Sequence, residues 1–189
     1  MPLLGALGLA LALLALLGGG KRPGPARQAV RRVLLIGDSF AVGLERPLRM
    51  LADRDLPDLV SFEGHGQTST TIPWWAESAV IPEVVARFQP SHVLVSLGTN
   101  DEKGRILDQD RPAIERLLQT LRSRGAVVAW IGPPSLPFPR AGVSALAQSR
   151  ADRYFPSEEI YIPRAGDGLH PTGAGYALWA DAIWKWLLS

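Results

Sequence analysis

The 189-residue chain has no cysteine, so neither a disulfide framework nor thiolate chemistry is open to it. Histidine is scarce: only His65, His92 and His170 occur, which argues against a multi-histidine metal centre. Lysine is nearly missing, found only at 21, 103 and 185, so 17 of the 20 basic residues are arginine. The net charge of +2 is small. The largest basic cluster, Lys21, Arg22, Arg27, Arg31 and Arg32, flanks an apolar run, and membrane flanking explains it better than nucleic acid does. No repeat is evident, and the length suits one domain with a substantial core.

Residues 2–20 contain no charged side chain and are dominated by leucine, alanine and glycine. As a helix this run is just long enough to cross a bilayer core. Two readings stay open. A signal peptide would use Gly18 and Gly20 as small residues before a cleavage point; a retained anchor fits the lack of basic residues ahead of the run. Membrane association or export through residues 2–20 is the expectation, with the side of the membrane open. Residues 21–30, rich in proline, glycine and arginine, read as a linker, leaving 31–189 as the folded domain.

Within that domain, apolar runs alternate with helical periodicity. Val33 to Ile36, Leu59 to Phe62, His92 to Leu97 and Ala126 to Ile131 read as strands, with a fifth expected at Glu159 to Ile162. Between them, Pro47 suits the first turn of a helix, and Pro73 to Phe88 reads as a helix restarted at Pro82. Asp110 and Pro112 open another, Ala141 to Arg150 is a weaker one, and a last helix starts near Gly173. Such alternation implies a parallel sheet of about five strands with helices on both faces.

Ligands of open α/β folds bind at the carboxyl ends of the strands. There the first strand ends in Gly37-Asp38-Ser39, which makes Ser39 a candidate nucleophile; capping of the next helix is the plainer use of these residues. A serine hydroxyl needs a base, and the base needs an acid to hold its tautomer. His170 is the best base available, and Asp167, three residues earlier in one loop, is placed to orient it. Negative charge on a tetrahedral intermediate needs fixed N–H donors. Gly66, after the second strand, and Asn100, in Gly98-Thr99-Asn100-Asp101 after the third, are candidates, though glycine also permits turns and Asn-Asp also satisfies local backbone.

Taken in order, Gly37-Asp38-Ser39, Gly66, Gly98-Thr99-Asn100-Asp101 and Asp167-x-x-His170 resemble the four blocks of the SGNH, or GDSL, hydrolases, from Val33 to the C terminus. The resemblance implies a flavodoxin-like three-layer α/β/α sandwich. It also implies Ser39 as nucleophile, His170 as base, Asp167 as its partner, and the Ser39 N–H, Gly66 and Asn100 as oxyanion donors. Gly66 is preferred to Gly64 because Gly-Gln-Thr-Ser is closer to the family's usual run. Phe40 replaces a frequent leucine and is expected to matter little; Asp38 is expected to brace the turn. The implied activity is a serine esterase working through an acyl-enzyme without metal or cofactor. De-acetylation of a carbohydrate is the favoured reading, with Trp74 and Trp75 as a sugar-stacking wall. Lipid-directed esterase, thioesterase, lysophospholipase or O-acyltransferase activity is the alternative, and a membrane-tethered binding module is the non-enzymatic one.

Overall fold

A computed structural model describes residues 31–103 and 107–189. The expectations for segments 1–20 and 21–30 lie outside the described residues. The chain alternates as β1 (Arg31–Gly37), α1 (Ser39–Asp55), β2 (Val60–Gly66), α2 (Ile72–Glu77), α3 (Val80–Phe88), β3 (His92–Ser96), α4 (Thr99–Glu102), α5 (Leu107–Arg122), β4 (Val127–Ile131), α6 (Val143–Arg150), β5 (Arg153–Phe155) and α7 (Gly173–Leu188). The strands form one sheet in the order β2-β1-β3-β4-β5, every pair parallel.

Successive strand side chains point to opposite faces, so a strand that is apolar throughout feeds two cores. In β1, Leu34 and Ile36 join Val93, Val95, Val128 and Trp130 beneath α2, α3, α5 and α6. Val33 and Leu35 join Leu94, Ala129 and Ile131 beneath α1 and α7. The result is the three-layer α/β/α sandwich, in the flavodoxin-like strand order. In that order the connections leaving β1 and β3 diverge to opposite sides of the sheet and open a crevice at their carboxyl ends. Gly37 ends β1 there, and Gly98 follows β3.

The structure corrects several boundaries. The fifth strand is Arg153–Phe155, registered on Ala129 to Ile131 of β4. Pro156 has no N–H to extend a ladder, so the chain turns through a 3₁₀ helix at Ser157–Glu159, leaving Tyr161 of the expected strand 86% exposed. Pro47 lies inside α1, not in its first turn, because Asp38 caps the helix nine residues earlier. Pro112 likewise lies inside α5, which begins at Leu107, before Asp110. The helix expected from Pro73 to Phe88 is two helices; the break falls at Ser78 and Ala79, which puts Pro82 in the first turn of α3, where its missing N–H is no loss.

Candidate active site

The turn after β1 is built around close approach. Gly37 has φ +156°, and a Cβ there would stand 2.0 Å from the Ser96 carbonyl oxygen, so a side chain is excluded. The next residue, Asp38, is fully buried and extended; its Oδ1 accepts the Phe40 N–H at 2.9 Å, capping α1. Among the described residues no group meets Oδ2 in full hydrogen-bond geometry, and burial, helped by the nearby Asp101 charge, pushes this acid from 3.8 up to about 7 despite the Phe40 and Thr99 N–H groups. Ser39 is therefore the first residue of α1, its backbone N–H among those a helix start leaves unpaired.

Ser39 Oγ lies 2.9 Å from His170 Nε2, although 131 positions separate them in sequence. His170 Nδ1 is 2.6 Å from Asp167 Oδ2, while Asp167 Oδ1 accepts the backbone N–H groups of Leu169 and His170, both at 2.9 Å. The hydrogen bond from the His170 ring, reinforced by those two N–H groups, holds the Asp167 carboxyl down at about 2. Asp167 is thus a fixed anion facing one ring nitrogen, with the serine hydroxyl on the other.

Two further contacts set the ring. Phe40 meets the His170 imidazole edge-on, centroids 5.6 Å apart, and itself stands edge-on against buried Trp179. This residue, expected to be incidental, packs the base in place. Arg164 donates from Nη1 to the Leu169 carbonyl and from Nη2 to the Ser135 carbonyl, both at 2.7 Å. Its planar fork ties the Asp167–His170 loop to the loop after β4. Backbone bonds from Ala165 to His170 and from Thr172 to Pro163 close the same loop at its base. Tyr176, whose ring stacks on Trp179 beside Gly43, points its hydroxyl at the Ser39 carbonyl, 3.5 Å away. No local pattern marks Arg164 or Tyr176 in the sequence.

The remaining candidates sit across the crevice. Gly66 ends β2 opposite Gly37, and Gln67 N–H bonds the Gly37 carbonyl at 2.9 Å, so this turn is stitched to the strand that carries Ser39. A Cβ on Gly66 would come within 2.7 Å of Val42 N in α1. Asn100 Nδ2 donates to the Thr70 carbonyl at 2.7 Å, and both Asp101 carboxylate oxygens accept the Ile72 N–H that opens α2, at 3.1 and 3.2 Å. Glu102, the next residue, is buried and accepts from Gly142 N, Ser144 N and Ser144 Oγ at 2.9, 2.7 and 2.6 Å. Burial alone would raise its carboxyl, but these donors together lower it. One short helix, α4, therefore clamps the loop after β2 on one side and the start of α6 on the other.

The two tryptophans part company. Trp75 is 2% exposed in the core and donates its indole N–H to Thr70 Oγ1 at 2.8 Å, so its expected place in a sugar-stacking wall is corrected: helical register turns it inward. Trp74, one residue earlier, is 41% exposed and packs edge-on against Trp75. His65 lies in a half-buried cluster with Glu63, 2.6 Å from Nε2, and Arg87. His92 opens β3 at the far end of the sheet.

Comparison with known proteins agrees with this arrangement. No curated protein matches the sequence. Among solved structures, TesA superposes with a TM-score of 0.71 at 21% identity, covering 83% of this chain and 98% of its own. A carbohydrate esterase family 3 protein from Talaromyces cellulolyticus gives 0.65 at 17%, with 84% and 97% covered. The acetyl xylan esterase AlAXEase gives 0.62 at 16%, with 82% and 99% covered. These likenesses speak for the fold. The family model of the GDSL-like lipases and acylhydrolases matches residues 35–178, most of the chain and all four motifs, and the protein belongs to that family of ester hydrolases.

Proposed function

We propose that the protein is a serine esterase that removes acetyl groups from an O-acetylated carbohydrate through an acyl-enzyme on Ser39. The observation that carries this reading is the continuous chain Ser39 Oγ, His170 Nε2, His170 Nδ1 and Asp167 Oδ2, with links of 2.9 and 2.6 Å. Hydrogen-bond contact between nucleophile and base is the geometry that general-base catalysis requires. His170 Nε2 takes the hydroxyl proton as Oγ bonds to the ester carbonyl carbon, and the Asp167 anion stabilises the imidazolium that results. The tetrahedral oxygen meets the Ser39 N–H, the Gly66 N–H and the Asn100 amide. That amide has two hydrogens and uses one on Thr70, which fixes its plane and leaves the other for the oxyanion. His170 then protonates the leaving alcohol. Water, deprotonated by the same nitrogen, attacks the acyl carbon and frees Ser39 as the acid departs.

For the substrate, exposed Trp74 follows a loop that Asn100 fixes, and it offers an aromatic face of the kind that stacks on sugar rings. Two of the structures similar in fold are named as a carbohydrate esterase and an acetyl xylan esterase. A lipid-directed esterase is the second reading, favoured by the apolar segment 2–20. Labelling with a fluorophosphonate probe tests the nucleophile: the wild type labels and Ser39→Ala does not, whereas equal labelling of both removes Ser39 from the mechanism. Rates on p-nitrophenyl acetate and octanoate test the acyl group. Faster turnover of octanoate would put the lipid reading first.

A further inference from the structure

The amino edge of the sheet, at the opposite end from Ser39, gathers arginines that the chemistry above does not use. Exposed Arg31 and half-buried Arg32 open β1, Arg153 opens β5, and exposed Arg124 precedes β4. Arg32 and Arg124 flank a recess of about 340 Å³ floored by the turn before β3. Arg31 and Arg153 stand close enough to His92 that their charges add to burial in lowering its pKa. Among the described residues these four guanidinium groups make no ion pair, whereas the nearby acids Asp152 and Asp55 are paired with Arg122 and Arg54. Among the described residues, exposed Asp53, in the last turn of α1, and Asp58, in the turn before β2, add negative charge here, fewer than the four arginines. Arg31, where the described chain begins, lies at this same edge, and the sequence ahead of it holds the apolar run 2–20 followed by Lys21, Arg22 and Arg27.

We propose that the amino edge of the sheet docks on an anionic phospholipid surface to which residues 2–20 hold the domain, so that the Ser39 crevice faces away from the bilayer. A seven-residue strand spans about 23 Å, several times the roughly 8 Å over which physiological salt screens charge, so the crevice lies outside the lipid field. Ten linker residues reach roughly 35 Å when extended, enough for the domain to turn over, and so the tether alone does not orient it. The arginines do, because anionic lipid attracts each basic residue near its surface. Resting on the esterase reading, this makes the substrate an ester presented from the aqueous side, on a soluble molecule or a polymer beyond the membrane, and not a bilayer lipid.

The absence of cysteine allows clean single-site labelling of the full chain. One fluorophore goes on Ser123→Cys, exposed beside Arg124, and another on Gly166→Cys, at the crevice end, where a Cβ meets nothing within 4 Å. Vesicles of phosphatidylcholine, with or without phosphatidylglycerol, carry a quencher on the headgroup. The label at 123 is quenched in anionic vesicles and released by high salt; the label at 166 is not quenched. The combined Arg31→Glu, Arg32→Glu and Arg124→Glu variant brings quenching at 123 down to the level at 166 while hydrolysis of p-nitrophenyl acetate continues. Equal or stronger quenching at 166, insensitivity at 123 to both salt and charge reversal, or failure of the full chain to attach to either vesicle overturns the proposal. The salt titration needs no charge variant, so misfolding cannot hide the answer. Ester hydrolysis by the unlabelled wild type reports separately on the Ser39 reading.

Discussion

Removing the Glu102 carboxylate tests how far α4 organises the crevice. The side chain is buried and accepts three hydrogen bonds, two from backbone N–H groups and one from the Ser144 hydroxyl. Bonds to a charged acceptor contribute about 1.5–3 kcal/mol each, and orphaned buried donors cost about 1–3 kcal/mol. Gly142 is only half-buried, so water can replace its partner; Ser144 is buried and loses two bonds together. Glu102→Ala should therefore lose about 3–4 kcal/mol, which in a domain of this size lowers Tm by roughly 8–14 °C. Glu102→Gln keeps an oxygen for Ser144 but turns an NH₂ toward the Gly142 N–H, and should fall between the two. The pH sign is fixed by the lowered carboxyl: stabilisation is complete above the ordinary glutamate value of 4.5 and is lost as pH falls through the lower folded value. Thermal unfolding followed by circular dichroism from pH 7 to pH 3 reads both effects. A Glu102→Ala protein within about 1 kcal/mol of wild type, or a deficit unchanged at the acid end, would refute the reasoning.

Asp38, with its folded value raised from 3.8 to about 7, has the opposite sign: its acid form is stabilising, and that contribution disappears as pH rises through 7. Wild type should gain up to about 1.4 kcal/mol per pH unit on acidification from 7 toward 4, and Asp38→Asn should lack that slope in denaturant unfolding series. Gly43→Ala places a methyl 2.0 Å from Tyr176 Cζ, so the ring must leave its place beside Ser39. A loss of about 1–3 kcal/mol by urea unfolding, with a fall in kcat, is expected. Arg164→Ala releases the His170 loop from the loop after β4, and kcat should drop roughly 10- to 100-fold with a smaller change in KM. Arg164→Lys should recover part of it, since an ammonium reaches one of the two carbonyls; equal kcat in all three proteins would show that the fork is not a positioning device.

Sequence alone went far where the physics is local. A buried parallel strand needs an unbroken apolar run, and Val33 to Ile36 and Val93 to Val95 supply it; a strand stopped by glycine before Asp-Ser marks a capped helix start. Short-range spacing also placed Asp167 within reach of His170, since three residues of one turn suffice. The fifth strand was hidden because Arg153-Tyr154-Phe155 is short and half-polar, and only pairing with β4 makes it a strand. Trp74 and Trp75 are chemically identical neighbours, and the register of a six-residue helix decided which one enters the core. The contacts of Phe40 with His170, Glu102 with Ser144, Arg164 with Ser135 and Tyr176 with Ser39 span from 29 to more than a hundred positions, so no local pattern encodes them. The parallel pairing of every strand, in turn, set which edge of the sheet holds Ser39 and which holds Arg31, Arg32 and Arg153. The motifs named the chemistry because each needs only its own few residues; the distances between them, and the direction in which the crevice faces, exist only once the sheet has assembled.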